Sequence, residues 1–160
     1  RILKVMLSYE YLWTNIRVKG GAYGCMSGFR RTGDGFLVSY RDPHLKNTLE
    51  VFQKTGDFIR SFDADEREMT KYIIGTISEI DAPLTPSAKG SMSLNAWFSG
   101  ITREDMEKER QEILDAQPED IRNLAGIVDT IVGQNRICVI GSEEKLQQDK
   151  EVFKEIKHLL

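Results

Sequence analysis

The sequence predicts an α+β domain in which an antiparallel β-hairpin packs against several helices. Residues 22–30 and 36–40 alternate in polarity, and the turn cluster Thr32-Gly33-Asp34-Gly35 separates them, as in two strands joined by a tight turn. Most other segments carry apolar residues at spacings of three and four, which is typical of amphipathic helices. The apolar run 136–140 predicts one further strand in the same sheet. Helices cluster in the middle of the chain, which favours α+β over an alternating α/β order.

The totals fit one domain and exclude several classes of partner. The chain has 160 residues, 40% of them hydrophobic, so we assign residues 1–160 to a single α+β domain with its own core. A net charge of −3 gives no electrostatic reason to expect nucleic acid or an anionic membrane as partner. No apolar run approaches the roughly 20 residues that span a bilayer. We therefore expect a soluble protein, either of the cytoplasm or of an organelle matrix.

The first helix is predicted over residues 2–16, and the glycine pair Gly20-Gly21 ends it. Its predicted buried face carries apolar residues at spacings of three and four, widened by two more: Ile2, Met6, Tyr9, Trp13 and Ile16, with Val5 and Leu12 beside them. After the hairpin, Asp42-Pro43 predicts a helix that runs to about residue 62, with aspartate as N-cap. Later helix starts are marked by Asp65, Thr85-Pro86, Thr102, Pro118 and Ser142.

Three sheet strands are few for so many helices, so we expect strands from an upstream part of a longer protein to complete the sheet. The two cysteines, Cys25 and Cys138, both lie in apolar strand-like runs. We expect them to be buried, reduced thiols rather than a disulfide or a nucleophile.

No complete catalytic site is visible in the sequence. A zinc hydrolase needs at least three protein ligands, and the chain has only His44 and His158, neither within a paired histidine motif. Both histidines are expected at the surface. There is also no nucleophile elbow and no phosphate-binding glycine loop of the Walker type.

The most unusual stretch is residues 17–24, Arg-Val-Lys-Gly-Gly-Ala-Tyr-Gly, between the first helix and the first strand. Adjacent glycines are costly to order and mark a special backbone angle or a close approach of another backbone. Arg17 and Tyr23 flank the glycine pair, so a tight turn would deliver two polar side chains to one place. On the residues alone, the simpler interpretation is that the glycines only end the helix.

This stretch, after a helix that carries Tyr9, Leu12 and Trp13, resembles the C-terminal half of the pitrilysin or insulinase family of zinc metallopeptidases. The presequence-protease branch is the most similar. The resemblance extends over most of the chain, including Asn135-Arg136-Ile137-Cys138-Val139-Ile140-Gly141, and the octapeptide 17–24 is its specific part.

The resemblance implies that the chain is the last domain, or part of it, of a protease built as a two-half clamshell. It implies that zinc is bound by the N-terminal half and that this chain binds no cofactor itself. Arg17 and Tyr23 would then act as catalytic residues on a peptide substrate, with Arg17, Gly20, Gly21, Ala22, Tyr23 and Gly24 binding it. The implied partners are a peptide and the N-terminal half of the protease, with neither nucleic acid nor membrane.

Two other functions remain open from the sequence. Some members of this superfamily have lost the zinc site and serve as structural or substrate-holding subunits. A free-standing interaction domain unrelated to proteolysis is the third possibility, and it would need no upstream strands.

Overall fold

The computed structural model describes residues 1–158 and confirms the α+β class. Helix α1 begins as an α-helix over Ile2–Met6 and continues with π-helical geometry over Leu7–Tyr11 and Trp13–Val18. Strands β1, Gly24–Phe29, and β2, Gly35–Tyr40, form a two-stranded antiparallel sheet. The remaining helices are α2 (Leu45–Gln53), α3 (Thr55–Arg60), α4 (Glu66–Ile80), α5 (Pro86–Phe98), α6 (Arg103–Leu114), α7 (Pro118–Arg122), α8 (Ala125–Gly133) and α9 (Glu143–Gln148), followed by a 3₁₀ turn at Lys150–Val152. None of the helices in the described residues is long and apolar enough to cross a membrane.

The π-helical part of α1 changes which side chains face the core. A π-helix closes hydrogen bonds between residues five apart, so its faces repeat more slowly than those of an α-helix. Leu7, Leu12 and Ile16, at spacings of five and four, are fully buried. Tyr9 and Trp13 are exposed instead, so their predicted place on the buried face is wrong. That prediction assumed the α-helical period along the whole helix.

The predicted hairpin is confirmed, with Gly24 opposite Tyr40 at one end and Phe29 opposite Gly35 at the other. Its turn is closed by the Arg30 N–H, which donates to the Asp34 carbonyl at 2.8 Å. Gly33 adopts a φ of +88° in this turn, a region that glycine enters without steric cost. The inner face of the hairpin packs on α1, and the outer face exposes Met26, Phe36, Val38 and Tyr40.

The core lies where α1 meets β1 and α4, and it continues between α3 and α8. Its largest fully buried apolar side chains are Met6, Leu7, Leu12, Ile16, Ile59 and Val128. Helices α3 and α8 approach closely at Gly56, where a Cβ would lie 1.7 Å from Asp129 Oδ1. A larger residue at position 56 would displace the Asp129 side chain, which pairs with Arg60.

The predicted helix starts are largely confirmed by side-chain caps. The Asp65 carboxylate accepts from the Glu68 N–H at 2.8 Å, and Thr102 forms a reciprocal capping box with Asp105. Thr85 and Ser142 also accept from the first turns of their helices. The start at residue 42 is different, since His44 is the N-cap of α2 and Asp42 lies outside it. The single helix expected to residue 62 is interrupted at Lys54, between α2 and α3.

The further strand predicted at 136–140 does not form within the described part of the chain. These residues are not assigned to a strand, and Ile140 is 81% exposed. A strand needs a neighbour to accept and donate its backbone hydrogen bonds, and the sheet of residues 1–158 contains only β1 and β2. For the same reason Cys138 is exposed, which corrects the expectation that it is buried. Cys25 is half-buried on the hairpin, and both cysteines are free, as predicted.

Candidate functional site

The turn from α1 into β1 is a widened helix cap. The Gly21 N–H donates to the Arg17 carbonyl at 3.0 Å, and the Ala22 N–H donates to the Ile16 carbonyl at 3.1 Å. A Schellman cap has the same two nested backbone hydrogen bonds, but each of them spans one residue fewer. The extra residue follows from the π-helical geometry of Trp13–Val18. The turn reverses the chain at once, so that Arg17 at the helix end lies beside Tyr23 at the strand start.

Arg17 is held on both sides. Its Nε donates to the Tyr23 carbonyl at 2.9 Å, and its guanidinium carbon lies 4.0 Å from the centre of the Trp13 ring. The ring attracts the cation and limits its motion. The terminal nitrogens of Arg17 make no hydrogen bond to any residue of the described chain, so they are available to an external acceptor.

Tyr23 is 65% exposed and is held by its ring and its backbone. Its ring lies edge-to-face against Tyr40, with centroids 5.8 Å apart, and its N–H donates to the Tyr40 carbonyl at 3.1 Å. Within residues 1–158 its hydroxyl has no hydrogen-bond partner. The structure therefore brings Arg17 and Tyr23 side by side on one rim, formed by the turn of residues 17–24. The terminal nitrogens of Arg17 and the hydroxyl of Tyr23 have no hydrogen-bond partner among the described residues.

The small residues between them have distinct local roles. A Cβ at Gly20 would lie 2.5 Å from the Ile16 carbonyl oxygen, and Gly21 has a φ of +74°. Both glycines are thus required by the turn itself. Ala22 is buried, and its N–H is already bonded inside the turn. Gly24 differs, because a Cβ there would meet nothing within 4 Å. Nothing in the described chain explains that glycine.

The charges around this rim are mostly positive. Arg17 is accompanied by Arg41, whose guanidinium carbon lies 5.7 Å from the centre of the Tyr23 ring. Burial raises the pKa of the half-buried Cys25 thiol, which lies close enough to Arg17 and Asp42 to be affected by both charges. Arg41 was not predicted from the sequence. The available signal was its position directly after β2, at the end of the hairpin that also carries Tyr23.

No metal site is formed by this chain between residues 1 and 158. Three or more histidine, cysteine, aspartate or glutamate side chains do not converge anywhere in that range. His44 lies at the start of α2, and the Nε2 of His158 is 3.5 Å from Glu143 Oε1. Both histidines are exposed, as expected, and they do not fit a zinc centre.

Comparisons with known proteins match nearly the whole chain. The profile of the PreP C-terminal domain matches residues 1–143. Protein HypA of Clostridium perfringens is 45% identical over 159 residues, which cover 99% of this chain and 16% of that protein. The chloroplastic/mitochondrial presequence protease 1 of Arabidopsis thaliana is 35% identical over 163 residues, which cover 99% of this chain and 15% of that protein. The mitochondrial presequence protease of Aspergillus oryzae is 33% identical over 154 residues, which cover 96% of this chain and 15% of that protein. The chain thus spans only about one sixth of the length of these curated relatives.

Proposed function

Because the chain belongs to the PreP C-terminal domain family, we propose that it is the substrate-binding C-terminal part of a zinc metalloendopeptidase that degrades unstructured peptides. Residues 1–158 do not form a zinc site, so we infer that the metal is bound by another part of the protease. That part is the N-terminal half, which is also the partner of this chain. The observation that carries the proposal is the rim on which the terminal nitrogens of Arg17 and the hydroxyl of Tyr23 form no hydrogen bond with residues 1–158.

In the proposed reaction, Arg17 binds the peptide backbone. A guanidinium is always charged and offers several donors in a fixed plane. One edge of Arg17 is occupied by the Tyr23 carbonyl, and stacking on Trp13 limits rotation of the rest. The free terminal nitrogens can therefore donate to a carbonyl beside the bond to be cleaved without losing much freedom on binding.

Tyr23 acts at the bond itself. Its hydroxyl donates to the carbonyl oxygen of the peptide as negative charge develops there. In other enzymes, removing one preorganised donor of this kind raises the activation free energy by roughly 3 kcal/mol. The edge-to-face contact with Tyr40 keeps the ring oriented, and the open space at Gly24 lets a peptide backbone approach the start of β1.

The test is peptide hydrolysis by the full-length protein carrying Arg17→Ala or Tyr23→Phe. Each substitution is expected to lower kcat/KM for an unstructured peptide by about 100-fold, the equivalent of roughly 3 kcal/mol. Zinc content should stay unchanged, since neither residue is a ligand. Matched controls are Tyr9→Phe, a tyrosine of similar exposure on α1, and Arg30→Ala at the far end of the hairpin.

Wild-type turnover in both variants would refute the roles of Arg17 and Tyr23. A full-length protein that binds no zinc and cleaves no peptide would instead support the non-catalytic, substrate-holding subunit.

A further inference from the structure

Arg41 has a backbone conformation that arginine seldom adopts. Its φ is +48°, in the left-handed region where an L side chain is strained and glycine is not. Hydrogen bonds on both sides maintain it. The Tyr23 N–H approaches the Arg41 carbonyl at 3.4 Å, and the neighbouring Asp42 carboxylate accepts from the His44 N–H at 2.9 Å. A strained non-glycine residue held in place by its surroundings points to a role for its side chain.

The strained backbone places the Arg41 side chain over the aromatic pair at the candidate site. Its guanidinium carbon lies 5.7 Å from the centre of the Tyr23 ring and 5.4 Å from that of the Tyr40 ring. Two aromatic faces attract the cation and restrict its position without using its N–H donors. The donors of Arg41 are therefore held beside Tyr23 and remain free for a ligand.

The charge of Arg41 is not neutralised within the described chain. None of the ion pairs of residues 1–158 includes Arg41 or Arg17. Asp42 is adjacent, but its two carboxylate oxygens accept from the His44 N–H and from the Thr48 hydroxyl. Tyr23 is thus contacted by two arginines that form no ion pair within the described residues, Arg17 at its carbonyl and Arg41 at its ring, in a chain whose formal net charge is −3.

We propose that Arg41 is a specificity-determining residue that binds a carboxylate of the peptide substrate next to the bond held by Tyr23. The inference rests on the proposed function. A planar guanidinium matches a carboxylate with two parallel hydrogen bonds, which is stronger and more directional than a bond to a neutral carbonyl. The carboxylate is either an acidic side chain near the cleaved bond or the C-terminus of a short product-sized peptide.

The experiment compares three peptides with the full-length protein. The first has glutamate beside the cleaved bond and an amidated C-terminus, the second has glutamine there and an amidated C-terminus, and the third has glutamine and a free C-terminus. The wild type is expected to prefer a carboxylate-bearing peptide by about tenfold in kcat/KM, as for one charge-assisted hydrogen bond. Preference for the first peptide identifies a side-chain carboxylate, and preference for the third identifies the terminus.

In Arg41→Gln the kcat/KM values for peptides with and without the carboxylate should become about equal. Arg41→Lys should keep part of the wild-type preference. Arg41→Gly relieves the backbone strain and should lose the preference as Arg41→Gln does, which separates charge from misfolding. The matched control is Arg30→Gln, since Arg30 lies 5.9 Å from the Phe36 ring centre at the opposite end of the hairpin. This control should keep the wild-type preference.

A wild type without any carboxylate preference, or an Arg41→Gln variant that retains it, would overturn the inference. If the protein hydrolyses none of the peptides, the proposed function fails, and the inference is still tested by fluorescence anisotropy. The affinities of the three peptides, labelled at the N-terminus, should then show the same ratio and the same loss in Arg41→Gln.

Discussion

Replacing Gly20 with alanine is expected to break the turn that brings Arg17 beside Tyr23. The added Cβ would lie 2.5 Å from the Ile16 carbonyl oxygen and 3.1 Å from that of Asn15. Both are backbone atoms of α1, so neither can rotate away as a side chain would. The Ile16 oxygen must move, and it is the acceptor for the Ala22 N–H at 3.1 Å.

The cost follows from what the movement leaves unpaired. Ala22 is buried, so its N–H loses a partner without gaining water, which costs about 2 kcal/mol. A local loss of this size raises the open population of the turn roughly 30-fold. Hydrogen exchange of the Ala22 amide, measured by NMR or by mass spectrometry of the full-length protein, should accelerate by about that factor.

Gly24→Ala is the matched control for stability. A Cβ at Gly24 meets nothing within 4 Å, so the local stability should change by less than about 0.5 kcal/mol. If Gly24 instead serves the approach of a peptide, this variant should lose kcat/KM while its amide exchange stays at the wild-type rate. The reasoning would be refuted by a Gly20→Ala variant whose Ala22 amide exchanges as slowly as in the wild type.

Two further predictions concern titratable groups. Partial burial raises the pKa of Glu109, but hydrogen bonds from Arg1 and Arg31 outweigh it and lower the pKa below its usual 4.5. The carboxylate therefore stabilises the fold above pH 4.5 and loses this effect as the pH falls through its lowered pKa. Glu109→Gln should remove at most about 1 kcal/mol from the free energy of unfolding above pH 4.5. In a plot of melting temperature against pH, the variant should show a shallower fall at acid pH than the wild type. The thiol of Cys138 should react with iodoacetamide faster than that of Cys25, whose pKa is raised by burial, and equal rates read by mass spectrometry would contradict the structure.

The hairpin and most helix starts could be predicted from the sequence because their causes are local. The turn cluster 32–35 forms its backbone hydrogen bonds with Arg30, only a few residues away. Asp65 and Thr102 cap helices through residues three positions away. Such signals lie within a few residues and need no knowledge of the rest of the fold.

The predictions that were wrong concern features that depend on residues distant in sequence. Residues 136–140 have the composition of a buried strand, but pairing depends on another strand, which composition does not report. Tyr9 is exposed because α1 has π-helical geometry at this position. The same helix packs against β1 and α4, which are distant in sequence.

The candidate site also combines a feature encoded locally with one that depends on strand pairing. The glycine pair between Arg17 and Tyr23 indicates a reversal of the chain that places them side by side, but their role in a site was implied only by the family resemblance and stays a prediction. Arg41 was not predicted, because its relevance comes from the pairing of β2 with β1, which carries it back to Tyr23.

The hydrogen bond from Arg17 Nε to the Tyr23 carbonyl has a mechanical consequence. It ties the last turn of the helix to the residue before β1, so a displacement of the helix end carries the start of the strand with it. If the proposed function holds, the spacing between Arg17 and the Tyr23 backbone is therefore set by the whole helix–strand junction, whereas the Tyr23 ring is oriented separately, by its contact with Tyr40.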